Sequence, residues 1–253
     1  MAAWVAGVDG CPGGWIAAFA RPDGAEPPRV RVVPALSGIV DAPEAPAVVA
    51  VDMPIGLTDR TEGSGRMPER LVRPLLGARQ SSVFAMPSRA AVFAADYREA
   101  CALARATSAP ARAVSIQGFH LFPKIREIDA LLRARPDLAA RVFEVHPEVA
   151  FWSMNGEAAL PEPKKVKGSP YRPGLSLRRA LLVRAGLPES LVTSSPPRGA
   201  AADDLLDALA GLVVAREIAQ GRGRPFPDPP DRDACGLPVA IWTFQARPAP
   251  DIP

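Results

Sequence analysis

Trp4-Val5-Ala6-Gly7-Val8-Asp9-Gly10-Cys11-Pro12-Gly13-Gly14-Trp15-Ile16-Ala17-Ala18-Phe19 contains two short apolar runs, residues 4–8 and 15–19, on either side of the glycine-rich connection 10–14. Two such runs joined this closely predict an antiparallel β-hairpin. Outward from it, residues 30–33 read as a third strand and 36–40 as a short crossover helix. Residues 47–51 form a continuous apolar strand of the buried type, stopped by Asp52-Met53-Pro54. A right-handed crossover lays 47–51 parallel to 4–8, so both strands finish at one edge of the sheet and Asp9 and Asp52 become neighbours. Further along, the periodicity predicts a helix over 124–133, a fifth strand over 141–145, a helix over 175–185 and a long helix over 201–219. The expected fold is α/β, with a mixed five-stranded sheet of antiparallel hairpin strands plus parallel strands, flanked by helices. Between about residues 57 and 120 the pattern turns irregular, with helices near 69–76 and 97–105, and is read as a helical insertion. One domain spans 1–245, and residues 246–253, poor in apolar anchors, read as a flexible tail.

The long helix carries Asp203-Asp204-Leu205-Leu206-Asp207-Ala208-Leu209-Ala210. Asp204 and Asp207 stand three residues apart and share a face, while Leu205, Leu209, Leu212 and Val213 supply an apolar stripe. Asp203, at the helix start, reads as a cap. Taken singly, Asp9 before Gly10 could open a turn and Asp52 could cap a strand end. Together, Asp9, Asp52, Asp204 and Asp207 predict a carboxylate cluster that repels itself unless cations sit in it, a trap for two metals about 4 Å apart. With two histidines and three widely spaced cysteines in the chain, a zinc site of imidazole and thiolate is excluded, and oxygen ligands suit Mg2+ or Mn2+.

Glu144-Val145-His146-Pro147-Glu148 adds further acids. Read as an extended segment, it places Glu144, His146 and Glu148 on one face, with Pro147 as a bend. Glu144 is a candidate ligand, and His146 a candidate base or a structural hydrogen-bonding partner. The densest basic stretch is Lys164-Lys165-Val166-Lys167-Gly168-Ser169-Pro170-Tyr171-Arg172, followed by Arg178-Arg179. It reads equally as a phosphate grip, through Lys165, Lys167 and Arg172, and as a solvated loop. Arg66, Arg70, Arg73, Arg79 and Arg89 are expected to line the opposite wall of a cleft; Lys124, at a helix start, is a weaker phosphate contact.

Thirty basic against 27 acidic side chains leave +3, too little to argue nucleic-acid binding from bulk charge. No apolar run reaches the length of a membrane span, and no basic, cleavable leader is legible at the N-terminus, so a soluble cytoplasmic protein is expected. Oligomeric state is not legible. Thirty prolines, many in connectors such as 22–28 and 225–230, read mostly as loop punctuation.

Five ordered motifs, residues 7–15, 50–57, 77–84, 144–148 and 203–210, resemble the family of predicted ribonuclease H-like nucleases catalogued as domain of unknown function 429. The likeness runs from Gly7 to about Ile241 and implies a ribonuclease H-like fold, and the resemblance of residues 77–84 to the family motif makes Arg79 the preferred phosphate contact. Asp-x-x-Asp-Ala-Leu on the last helix is similar to Holliday-junction resolvases, which implies metal-ligand roles for Asp204 and Asp207 and makes Asp9 the first-strand acid. Asp52 takes the fourth-strand place, where resolvases usually carry glutamate. Three functional classes follow: a metal-dependent phosphodiesterase acting on nucleic acid, an ATP-binding phosphotransferase of the sugar-kinase and actin-like superfamily, and a non-catalytic nucleic-acid-binding adaptor on the same scaffold. Absence of a nucleophile elbow and of a Walker loop favours the first, and a length suited to one such domain disfavours the second.

Overall fold

A computed structural model describes residues 3–246. The expected flexible tail, apart from its first residue, lies outside them. Strands β1 (Val5–Cys11), β2 (Gly14–Ala20) and β3 (Arg29–Val33), helix α1 (Ser37–Val40) and strand β4 (Val48–Asp52) follow the expected order. The insertion contributes α2 (Met67–Val72), a 3-10 segment Arg73–Ser82 and α3 (Tyr97–Thr107). Then come α4 (Ile116–Ala134), β5 (Val142–Glu144), α5 (Pro147–Met154), α6 (Arg172–Arg184) and α7 (Ala202–Ala219), and finally a hairpin of β6 (Gly223–Arg232) and β7 (Pro238–Phe244). The main sheet has the order β3-β2-β1-β4-β5, antiparallel in its first half and parallel from β1 to β5. This is the expected α/β fold with a mixed five-stranded sheet.

Successive side chains of a strand face opposite sides, and the apolar residues divide accordingly. Ala6, Val8, Trp15, Ala17, Val49 and Val51 pack on Phe122, Ile125 and Ile128 of α4. Val5, Ile16, Ala18 and Ala50 pack on α7, with α5 and α6 beyond it. Asp9 and Asp52 fall on the α7 face, as the period of two requires.

Four expectations need correction. The hairpin turn is Pro12-Gly13 alone, since Cys11 already pairs with Gly14. Helix α4 begins at Ile116, capped by the Ser115 hydroxyl, and carries Pro123 inside it, whereas the sequence periodicity predicts a start after that proline. The segment after β5 is helical from Pro147, a residue suited to a first helical position, where its missing N–H costs no hydrogen bond. The proline-rich 225–230 connector belongs to β6, which among the described residues pairs with one neighbouring strand and so tolerates residues without an N–H.

Candidate metal centre

Gly7 decides where the carboxylates meet. A Cβ there would lie 1.9 Å from the Leu212 nitrogen and 2.2 Å from the Ala208 oxygen, so α7 rests its backbone directly on β1. Gly211 makes the reciprocal approach, 3.3 Å from the Gly7 Cα. One turn before Gly211, Asp207 is thereby carried to the sheet edge. Parallel register sets Asp9 beside Asp52 there. One oxygen from each of Asp9, Asp52 and Asp207 lies within 4.8 Å of the others. Ligand oxygens around an octahedral ion with bonds of 2.0–2.1 Å are about 3–4 Å apart, so small rotamer changes close the set on a cation.

The electrostatics are those of crowded acids. Burial, then Asp52 and Asp207, push Asp9 well above the usual carboxylate range. Burial, then Asp207, raise Asp52 to about 8. Asp207 Oδ1 is buried without a hydrogen-bond partner, and an unpaired buried acceptor carries a desolvation cost that a bound cation removes. An all-oxygen donor set with an orphaned oxygen fits a hard divalent ion.

Asp204, the expected second ligand on the helix, turns away from this set. Its Oδ2 accepts the Ala201 N–H at 2.8 Å, so it caps its own helix. Asp203, expected to be the cap, is buried and pairs with Lys165 at 2.6 Å. Asp204 thus takes the capping role expected of Asp203, and neither belongs to the converging set.

Glu144 pairs in register with Val51, whose side chain faces α4, so it lies on the opposite sheet face from Asp9 and Asp52. Both its oxygens are engaged, Oε1 by Arg66 at 2.6 Å and Oε2 by the Ile55 N–H at 2.7 Å. It holds the chain that leaves β4 and does not act as a free ligand. His146 Nδ1 accepts the Glu148 N–H at 3.2 Å, which leaves Nε2 as the protonated nitrogen, 3.2 Å from the Ser82 carbonyl. Burial holds its pKa at about 4, so it is a neutral structural bridge between α5 and the 3-10 segment. Glu148, expected on one face with Glu144 and His146, lies instead in the first turn of α5. Arg178 engages its Oε1, its Oε2 is buried and unpartnered, and it borders the same cavity as the aspartates.

That cavity, about 350 Å³, also has Lys124, Lys164 and Phe84 in its walls. Lys124 donates to the Gly14 carbonyl at 2.5 Å and lies 4.4 Å over the Trp15 ring, at the mouth beside Gly10. Lys164 was passed over within its basic run, yet its ammonium bonds Asp207 Oδ2. Burial opposes its charge, but Asp207, Asp9 and Asp52 outweigh that and raise its pKa. The signal available was position: it is the first of four basic residues, nearest the buried end of the loop.

The expected arginine wall is spent internally. Arg66 is fully buried between Glu69 and Glu144 and donates to the Ile55 and Gly56 carbonyls. Arg70 pairs with Glu62, Arg73 with the Val83 carbonyl, and Arg89 with Asp129 and Asp233. Arg79 does not line the cavity, and its Nε is buried without a partner. Arg178 is likewise internal. Lys167 and Arg172 stay exposed, the former in a hairpin turn where Lys167 and Gly168 both have positive φ.

Among the described residues no helix is long and apolar enough to cross a membrane. No curated protein and no solved structure matches the chain. A family described as "Protein of unknown function (DUF429)" matches residues 7–232, nearly the whole chain, and the protein belongs to that family.

Proposed function

We propose that the chain is a metal-dependent phosphodiesterase that hydrolyses a nucleic-acid backbone, with Mg2+ or Mn2+ held by Asp9, Asp52 and Asp207. The observation that carries this reading is the convergence of three carboxylates from β1, β4 and α7 on one pocket, with a buried Asp207 oxygen left without a partner. A divalent ion at such a site lowers the pKa of a bound water and offsets charge on a phosphate oxygen. The protein's own groups do the rest. Lys164 and Lys124 place positive charge in the cavity wall, and of the basic stretch that follows Lys164, Lys167 and Arg172 stay exposed while Lys165 pairs with Asp203. In hydrolysis the water oxygen bonds to phosphorus, one ester P–O bond breaks, the water gives a proton to solvent and the departing oxygen gains one. No serine, cysteine or histidine nucleophile takes part. His146, neutral and bonded through both nitrogens, is not the base.

The phosphotransferase alternative is less well supported. Its nucleotide would need the amides of the glycine-rich hairpin, but the Gly13 N–H is given to the Gly199 carbonyl at 2.8 Å. A cytoplasmic place of work fits three cysteines that are all unpaired. The experiment is cleavage of labelled single strands, duplexes, hybrids and junctions of DNA and RNA with Mn2+, the unaltered protein beside Asp9→Asn. Cleavage of at least one substrate, lost in the variant, is expected. Identical products from both proteins, or none from either, overturn the assignment.

A further inference from the structure

We propose that this centre takes one divalent cation, and that the Lys164 ammonium stands where a second would sit. The inference rests on the metal reading above and replaces the pair of ions expected from the sequence. Three carboxylates gather at the pocket, and one ammonium is already bonded to Asp207 Oδ2 while Oδ1 is left open. Within this bonded set three carboxylates against one ammonium leave two negative charges, matched by the charge of a single divalent ion; Lys124, on the Gly14 carbonyl and over the Trp15 ring, is bonded to none of them.

Most ligands a second ion would need are committed elsewhere. Asp204 caps α7, both Glu144 oxygens are bonded on the far face of the sheet, and Glu148, with Oε1 on Arg178, has Oε2 alone open, one oxygen where an ion needs several. An ion bridged by Asp207 through both oxygens would first have to expel the lysine.

Lys164 is built into that place from both sides. Just before it, the Glu162 carbonyl accepts from Arg178 at 3.0 Å. The Pro163 carbonyl lies so close to Gly174 that a Cβ there would come within 1.8 Å of it, which docks the segment on α6. The Lys164 carbonyl accepts the Tyr171 N–H at 2.9 Å, closing the small hairpin Lys165–Val166 with Ser169–Pro170. Lys165 then ties the same strand to Asp203 on α7 at 2.6 Å. A side chain fixed by four neighbouring contacts is a component of the centre. An ammonium there donates hydrogen bonds and charge to a phosphate oxygen, as a second cation would, and unlike an ion it cannot dissociate.

Counting bound Mn2+ by electron paramagnetic resonance at saturating free metal decides the matter without any assay of activity. One Mn2+ per chain is expected for the unaltered protein and for Lys164→Arg. Two are expected for Lys164→Met, the second with weaker affinity, because Asp207 Oδ2 is released. Two in the unaltered protein overturn this inference and leave the metal reading standing; none overturns both. One in a folded Lys164→Met, checked by circular dichroism, also overturns it. Should that variant fail to fold, the count for the unaltered protein still decides.

Discussion

Asp52 is the single residue whose protonation reports most directly on the centre. Burial and Asp207 raise it to about 8 from 3.8, so between those pH values the native protein holds a proton that the unfolded chain has released. Stability of the metal-free protein therefore falls as pH rises through that window. His146 acts with the opposite sign, since its pKa of about 4 lies below the ordinary 6.5 and costs stability as pH falls between them. A comparison isolates the first effect: Asp52→Asn should melt several degrees above the unaltered protein at pH 8 and converge with it near pH 4. A constant difference across that range would refute the assignment. Divalent metal binding expels the same protons, so the rise in melting temperature given by Mn2+ should grow with pH. Asp9 and Asp52 were legible in the sequence because each closes an apolar strand. Asp207 was legible by its spacing, but Asp204 and Asp203 were not separable, because a helix start offers capping and ligation to the same residue type one position apart.

Among elements, α7 on β1 sets the geometry. The sequence indicated one apolar stripe, whereas α7 is buried nearly all round, covered by the sheet, α5, α6 and β7. Its register is fixed by backbone-to-backbone contact at Gly7. Gly7→Ala puts a methyl group into the Leu212 and Ala208 backbone, where no flexible side chain can yield. Overpacking of this kind costs roughly 3 kcal/mol or more, a fall of the order of 10 °C in melting temperature for a chain of this size. Such a displacement also carries Asp207 out of reach, so Mn2+ stabilisation should disappear in the folded fraction. A Gly7→Ala protein that melts normally and still responds to Mn2+ would contradict this account of the packing. The strands of the main sheet could be read because their apolar runs are continuous. The first half of helix α4 and strand β6 could not, since Pro123 inside α4 and the prolines of β6 read locally as breaks, and each element is held in place by partners distant in the chain.

At the scale of the whole molecule, most of the positive charge near the centre is used to build the fold. Arg66 shows why: a fully buried guanidinium must satisfy its donors, and here it joins α2 to β5 and to the chain that leaves β4. Arg89 ties the insertion to α4 and to the turn between β6 and β7. Composition cannot distinguish these arginines from phosphate contacts, because only the fold shows which carboxylates face them. Of the basic stretch expected to grip phosphate, Lys167 and Arg172 stay exposed, so on the proposed function nucleic-acid binding should depend weakly on salt. Each lost phosphate contact lowers the slope of log K against log salt by about 0.9 on duplex DNA. Lys167→Gln with Arg172→Gln should therefore reduce that slope by roughly 2, with the melting temperature unchanged. Arg66→Met should do the reverse. Leaving Glu69 and Glu144 buried without their partner costs about 3–5 kcal/mol, while the salt slope of the protein that remains folded stays as it was. A salt slope that falls with Arg66 and not with the Lys167 and Arg172 pair would move the backbone track to the insertion side of the cavity.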